Sequence, residues 1–170
     1  MAGVKATINV GMQLAQTGSR NRGTQSFEDS IAFTMKFAEG TNTVDKTDVL
    51  FTDSRTIAAS SNDDLDLRGV LTDALGATVN AAEIVAIYVE ALTANTNNVV
   101  VGAAASNQFV GPFGAGTHSV AVGPGNCFLV TNKNGWAVTA GTGDILRIAN
   151  SGAGSAVKYN IIILGRTVAA

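Results

Sequence analysis

The chain has 170 residues, a formal net charge of -2, 46% hydrophobic residues and only 14% charged ones. That length suits one domain with a core of its own, and the charge excludes the strongly basic balance of a nucleic-acid or anionic-membrane binder. A single cysteine excludes an intrachain disulfide, and one cysteine with one histidine cannot assemble a zinc site.

Residues 1–26 are rich in Gly, Gln, Thr, Ser and Asn and carry no sustained hydrophobic period. The opening MAGVKATINV lacks the basic start and apolar core of a signal peptide. Lys5, Arg20 and Arg22 are the charges here, with no acid among them. The expectation is an extended N-terminal arm that is mobile alone and orders on a neighbouring subunit, or on its own domain. Its candidate contact residues are Lys5, Met12, Leu14, Arg20 and Arg22. The next stretch, residues 27–90, holds twelve acids against four bases. Such a split can steer the arm of one copy onto the acidic band of another, or simply be a solvated acidic face.

From residue 27 onward short apolar runs alternate with turn residues, which predicts an all-β domain over 27–170 with the spacing of an antiparallel β-sandwich or barrel and strands enough for two packed sheets. Phe27–Phe37 is the first clear strand, with Ile31, Phe33, Met35 and Phe37 on one face. Gly40-Thr41-Asn42 turns it. Val49–Phe51 and Arg55–Ala58 are two short strands or one bent strand. Leu65 and Leu67 alternate with Asp64 and Asp66, as in a half-exposed strand. Arg68–Gly76 is a helical turn or an irregular connection. Ala82–Leu92 is nearly all apolar, and its β-branched and aromatic content favours a buried strand. Further strands are expected near Val99–Gly102, Gln108–Val110, Ser119–Val122, Cys127–Thr131, Trp136–Thr139, Ile145–Ala149 and Ala156–Leu164. The last is apolar on both faces in its second half, as a central strand is. Asn134-Gly135 signals a hairpin between its flanking strands. No run of about 20 apolar residues is present to cross a membrane as a helix.

The chemistry-bearing residues do not form catalytic motifs. His118 is the lone histidine, so a Ser–His–Asp arrangement depends on it, and no Gly-x-Ser-x-Gly elbow exists. The Asn62, Asp63, Asp64 and Asp66 cluster lacks the spacing of a calcium loop and is an acidic turn, with a cation shared between subunits as the alternative. Glu83 and Glu90 flank a strand and are expected to face solvent at its ends. Neither Gly141-Thr142-Gly143 nor Gly152-Ala153-Gly154 opens a helix in the manner of a phosphate loop. Cys127 lies in Cys-Phe-Leu-Val and is expected to be buried. Trp136 is expected to plug the core. No catalytic residue, metal ligand or cofactor is assigned.

The wording of the second half carries a resemblance. Asn97-Asn98-Val99-Val100-Val101-Gly102, Gly111-Pro112-Phe113-Gly114, Phe128-Leu129-Val130-Thr131-Asn132 with Gly135-Trp136, and Thr139-Ala140-Gly141-Thr142-Gly143-Asp144 are turn-and-strand phrases. With the ending Tyr159-Asn160-Ile161-Ile162-Ile163-Leu164-Gly165, they resemble small β-rich virion proteins of tailed bacteriophages. The likeness spans roughly residues 50–168. It implies a capsid decoration or cement protein with an antiparallel, jelly-roll-like β-sandwich body, commonly trimeric, with the major capsid protein and itself as partners. It further implies a place on the capsid surface after synthesis in the bacterial host cytoplasm. The rival readings are a tail, neck or fibre-attachment protein, and a carbohydrate-binding module that uses Trp136 or Tyr88.

Overall fold

The computed structural model describes residues 3–170. Thirteen strands follow one another in the described chain: β1 Ala6–Arg20, β2 Gly23–Glu39, β3 Lys46–Thr47, β4 Val49–Ile57, β5 Asn62–Asp66, β6 Arg68–Thr72, β7 Thr78–Asn80, β8 Glu83–Ala91, β9 Val99–Gly102, β10 Ser119–Val122, β11 Cys127–Ala137, β12 Ile145–Asn150 and β13 Val157–Arg166. The chain is all-β, and no described residue is helical.

Two four-stranded antiparallel sheets form the body, in the orders β10-β9-β12-β5 and β11-β8-β13-β4. Strand alternation sets the inner face of each. In the second sheet, the register places Phe128 beside Val89 and Val89 beside Ile161, then Val130 beside Ile87 and Ile87 beside Ile163. In the first, Leu65 stands opposite Leu146, and Ile148 opposite Val101. These inner side chains join one apolar cluster drawn from both sheets, with Trp136 and Phe113 packed against it. β13 lies between β8 and β4, so it is paired on both edges; on its outer face Leu164 is buried while Ile162 stays 40% exposed.

Two ion-paired networks hold the margins. Arg166 is fully buried, and its Nη2 donates to Glu83 Oε2 at 2.6 Å while its Nη1 donates to the carbonyls of Thr43, Lys46 and Lys133. One guanidinium therefore ties the loop after β2, the irregular part of β11 and the end of β13 together. Glu83 is accordingly mostly covered rather than solvent-facing, because an inward arginine needs a paired carboxylate. At the opposite edge, the fully buried Tyr159 donates its hydroxyl to Asp63 at 2.8 Å, and Arg55 Nε donates to the same carboxylate. Burial, followed by the bond to Asp63, pushes the Tyr159 hydroxyl well above its ordinary range.

Several local expectations need correction. Asn134-Gly135 does not turn a hairpin. Cys127–Thr131 and Trp136–Ala137 both pair with β8, and the residues between them form a bulge. Asn132 stabilises that bulge by donating to the Gly135 carbonyl and accepting from the Asn134 amide, and Gly135 supplies φ 81°. Gln108–Val110 contributes only an isolated bridge to Ile145. Arg68–Gly76 is neither helical nor merely irregular: it opens as β6, which pairs with β7. Cys127 is exposed, since it lies in the same row of β11 and β8 as Glu90, on the outer face of its sheet.

The largest departure is at the N-terminus. Residues 6–26 are no lone extended arm. β1 pairs with β2 in unbroken antiparallel register from Ala6↔Phe37 to Arg20↔Gly23, and the expected boundary at residue 26 falls inside β2. Asn21 and Arg22 make the turn, and Gly23 after them takes φ 114°. The alternation is present in the sequence: Ala6, Ile8, Val10, Met12 and Leu14 interleave with Thr7, Asn9, Gly11 and Gln13. Low-hydropathy spacers such as Gly11 and Gln13 mask it in a composition-based view.

Candidate interaction surface

The β1–β2 ribbon is rooted in the body and then leaves it. At its root, Met35 and Phe37 form a second small core with Val85, Ala86 and Leu164, joined by Val4, Ala6 and Ile8. Ala86 and Leu164 stand side by side on β8 and β13, so the root sits on the outer face of the second sheet. Beyond the root, every residue from Asn9 to Thr34 is exposed. At about 3.3 Å per residue, that free length is roughly 40 Å.

Directly opposed residues in an antiparallel pair share a face. Ala6/Phe37, Ile8/Met35, Val10/Phe33, Met12/Ile31, Leu14/Asp29 and Gln16/Phe27 therefore line one face of the ribbon. The other face carries Thr7/Lys36, Asn9/Thr34, Gly11/Ala32, Gln13/Ser30 and Ala15/Glu28. The ribbon is amphipathic from its root to the Gln16/Phe27 rung. Its apolar ladder is buried at the root and bare beyond it, with Val10, Met12, Leu14, Phe27, Ile31 and Phe33 between 42% and 61% exposed.

The five arm residues singled out in the sequence have distinct places. Met12 and Leu14 are on the ladder. Arg20 ends β1 and Arg22 is in the turn, so both crown the tip, and neither forms an ion pair among the described residues. Lys5 precedes β1 at the root and is exposed. Phe27, Ile31 and Phe33 belong to the same surface. The sequence showed their alternation but not that their apolar side lacks a cover within the chain.

Beside the root lies a groove. Lys5 to Asn9 form one wall, and Leu50, Tyr88, Leu129 and Ile162 form the other. Leu129, Tyr88 and Ile162 occupy one row across β11, β8 and β13 on the outer sheet face, and Leu50 pairs with Leu164 in the adjacent row. Leu50, Leu129 and Ile162 remain more than a third exposed. The next row outward is polar, with Cys127, Glu90, Asn160 and Ser54, and Glu90 is held by Asn160 rather than by a cation. Burial, with Glu90 and Cys127 adding to it, raises the Tyr88 hydroxyl above its ordinary range.

The remaining chemistry-bearing side chains are engaged in structure. Asp63 and Asp53 bind Arg55, and Asp64 binds Arg147 through both guanidinium donors. His118 is exposed and its Nδ1 is 2.8 Å from the Phe113 carbonyl. Trp136 packs partly buried on the core, close against Gly111. Comparison with known proteins brought no match: no family model, curated protein or solved structure is significantly similar to this chain.

Proposed function

We propose that this chain is a non-catalytic structural component of a tailed-bacteriophage virion, which decorates and stabilises the capsid shell by bridging capsid subunits. Its body is a jelly-roll-like β-sandwich made from the two four-stranded sheets, and its ribbon is the bridging element. It works as a homotrimer whose other partner is the major capsid protein, on the capsid surface, after synthesis in the bacterial host cytoplasm.

The observation that carries this reading is the bare apolar ladder on the ribbon. A two-stranded ribbon is marginal in water by itself, and contiguous apolar surface of this kind marks a contact with another protein. A rigid body with a reach of roughly 40 Å suits a bridge between neighbouring subunits. Many weakly held copies on one shell gain from simultaneous engagement. The phrases that resemble those of small phage virion proteins lie in the body, and that resemblance is the reason for naming this particle.

Gold-antibody labelling of intact particles, viewed by electron microscopy, tests the reading. Dense label over the head is expected. Label confined to the tail or neck moves the protein there, and particles without label overturn the virion assignment.

A further inference from the structure

We infer that the apolar ladder of the ribbon docks on the outer face of the β11-β8-β13-β4 sheet of a second copy of this chain, in the groove bounded by Leu50, Tyr88, Leu129 and Ile162. This makes the self-association part of the proposed function specific. It is tested on the purified chain with no particle present, so its failure and that of the virion assignment are separate results.

The acceptor face is already shown to take this ladder. Within one chain, the ladder's first rungs, Ala6/Phe37 and Ile8/Met35, pack on Ala86 and Leu164 of that face. The groove continues the same face, and it stays apolar for one more row before Glu90 and Asn160 begin. Rungs of a second ribbon meet there the chemistry that the first rungs meet at home.

Area supports a specific contact. Six ladder side chains about half exposed offer on the order of 500 Å² of mostly apolar surface. With the polar rims, that approaches the roughly 800 Å² per partner of a standard interface. Donor and acceptor patches are different surfaces of one chain, so each copy gives one and receives one. Such a heterologous contact gives a ring where its rotation closes and a filament where it does not.

Charge distinguishes this arrangement from ribbon packed on ribbon. Asp29 is the one charged residue on the ladder between Val10 and Phe33, opposite Leu14. Ladder against ladder would bury Asp29 in an apolar seam without a cation. The acceptor face instead carries Lys158 on β13, beyond the Asn160 row. The tip residues Arg20 and Arg22 would face one another in parallel ribbons. Docked on the sheet with Met12 and Ile31 in the groove, the tip of one ribbon lies about 26 Å farther along and away from the other copy's tip.

The position of Cys127 provides the test. It is exposed, one row from Tyr88 on the acceptor face, and it is the only cysteine. Single variants Met12→Cys, Leu14→Cys and Ile31→Cys are oxidised and run on non-reducing gels, each with and without Cys127→Ser. A disulfide needs Cα atoms within about 7 Å, so at least one ladder position is expected to cross-link copies in a Cys127-dependent way. Light scattering gives the mass of the unmodified chain, expected above that of a monomer. Ile31→Asp is expected to weaken association by about 30-fold or more, the size of a hot-spot loss, while the circular dichroism of the body is unchanged. Cross-links that persist without Cys127, no Cys127-dependent cross-link at any of the three positions, or a monomeric mass for the unmodified chain overturns the inference.

Discussion

In β13, Val157, Tyr159, Ile161 and Ile163 alternate with a period of two, and all four are fully buried. In β1, Val10, Met12 and Leu14 alternate with the same period, and all three are exposed. Both strands have an apolar face fixed by the pleat. What differs is the cover. β13 is central in its sheet, and its buried side chains join an apolar cluster drawn from both sheets, whereas the free part of β1 has only β2 beside it. Alternation thus specifies which face is apolar but not whether the same chain covers it. An apolar face left bare over roughly 20 Å, from Val10 to the Gln16/Phe27 rung, is a contact waiting for a second molecule.

The sharpest way to break the body is at its one fully buried guanidinium. Arg166→Ala leaves Glu83 without its partner and frees three carbonyls, so a loss of about 3–5 kcal/mol is expected in urea unfolding. The comparison itself is tested by matched isoleucines. Ile161→Ala leaves a cavity in the main apolar cluster and is expected to cost about 2–5 kcal/mol. Ile31→Ala on the ribbon is expected to change the unfolding free energy of the dissociated chain by no more than about 0.5 kcal/mol. Equal losses at the two positions would mean that the ribbon's ladder is covered within one chain.

The strands of the body were legible because their faces agree with their surroundings. Ala82–Leu92, Ile145–Ala149 and Ala156–Leu164 are strands within a residue or two of their expected bounds. Turn chemistry was less transferable. Asn134-Gly135 has the residues of a hairpin but makes a bulge, because residues on both sides of it find partners on β8. Local turn preference of a few tenths of a kcal/mol yields to the pairing and burial of a strand. Met12 and Leu14 are singled out in the sequence as arm residues, whereas Phe27, Ile31 and Phe33 read only as a strand, and the register puts all five on one ribbon face. Their period marks a strand face, and only the long-range register Ala6↔Phe37 to Arg20↔Gly23 shows that both halves form one ladder. Arg166 and Glu83 are 83 residues apart, and no spacing pattern announces a pair of that separation.

Smaller effects sharpen the contrast between buried and exposed polar contacts. Tyr159→Phe removes the hydroxyl that Asp63 accepts, but Arg55 still holds that carboxylate. A loss of about 1.5 kcal/mol is expected in the same unfolding assay, the low end for a hydrogen bond to a charged group. The exposed counterpart is Asp64 with Arg147. The guanidinium beside it holds the Asp64 carboxyl below its ordinary range, through its hydrogen bonds first and its charge second. A depressed carboxylate contributes stability above the unfolded-state range and loses it as pH falls through the folded value. The pair is partly exposed, so the contribution to unfolding is expected to be small and to fade with salt. The direct readout is the Asp64 side-chain titration by NMR. Arg147→Ala is expected to move its midpoint upward to the ordinary carboxylate range. A midpoint that stays low without Arg147 would mean that the remaining contacts around Asn62, which adds a hydrogen bond of its own, depress Asp64.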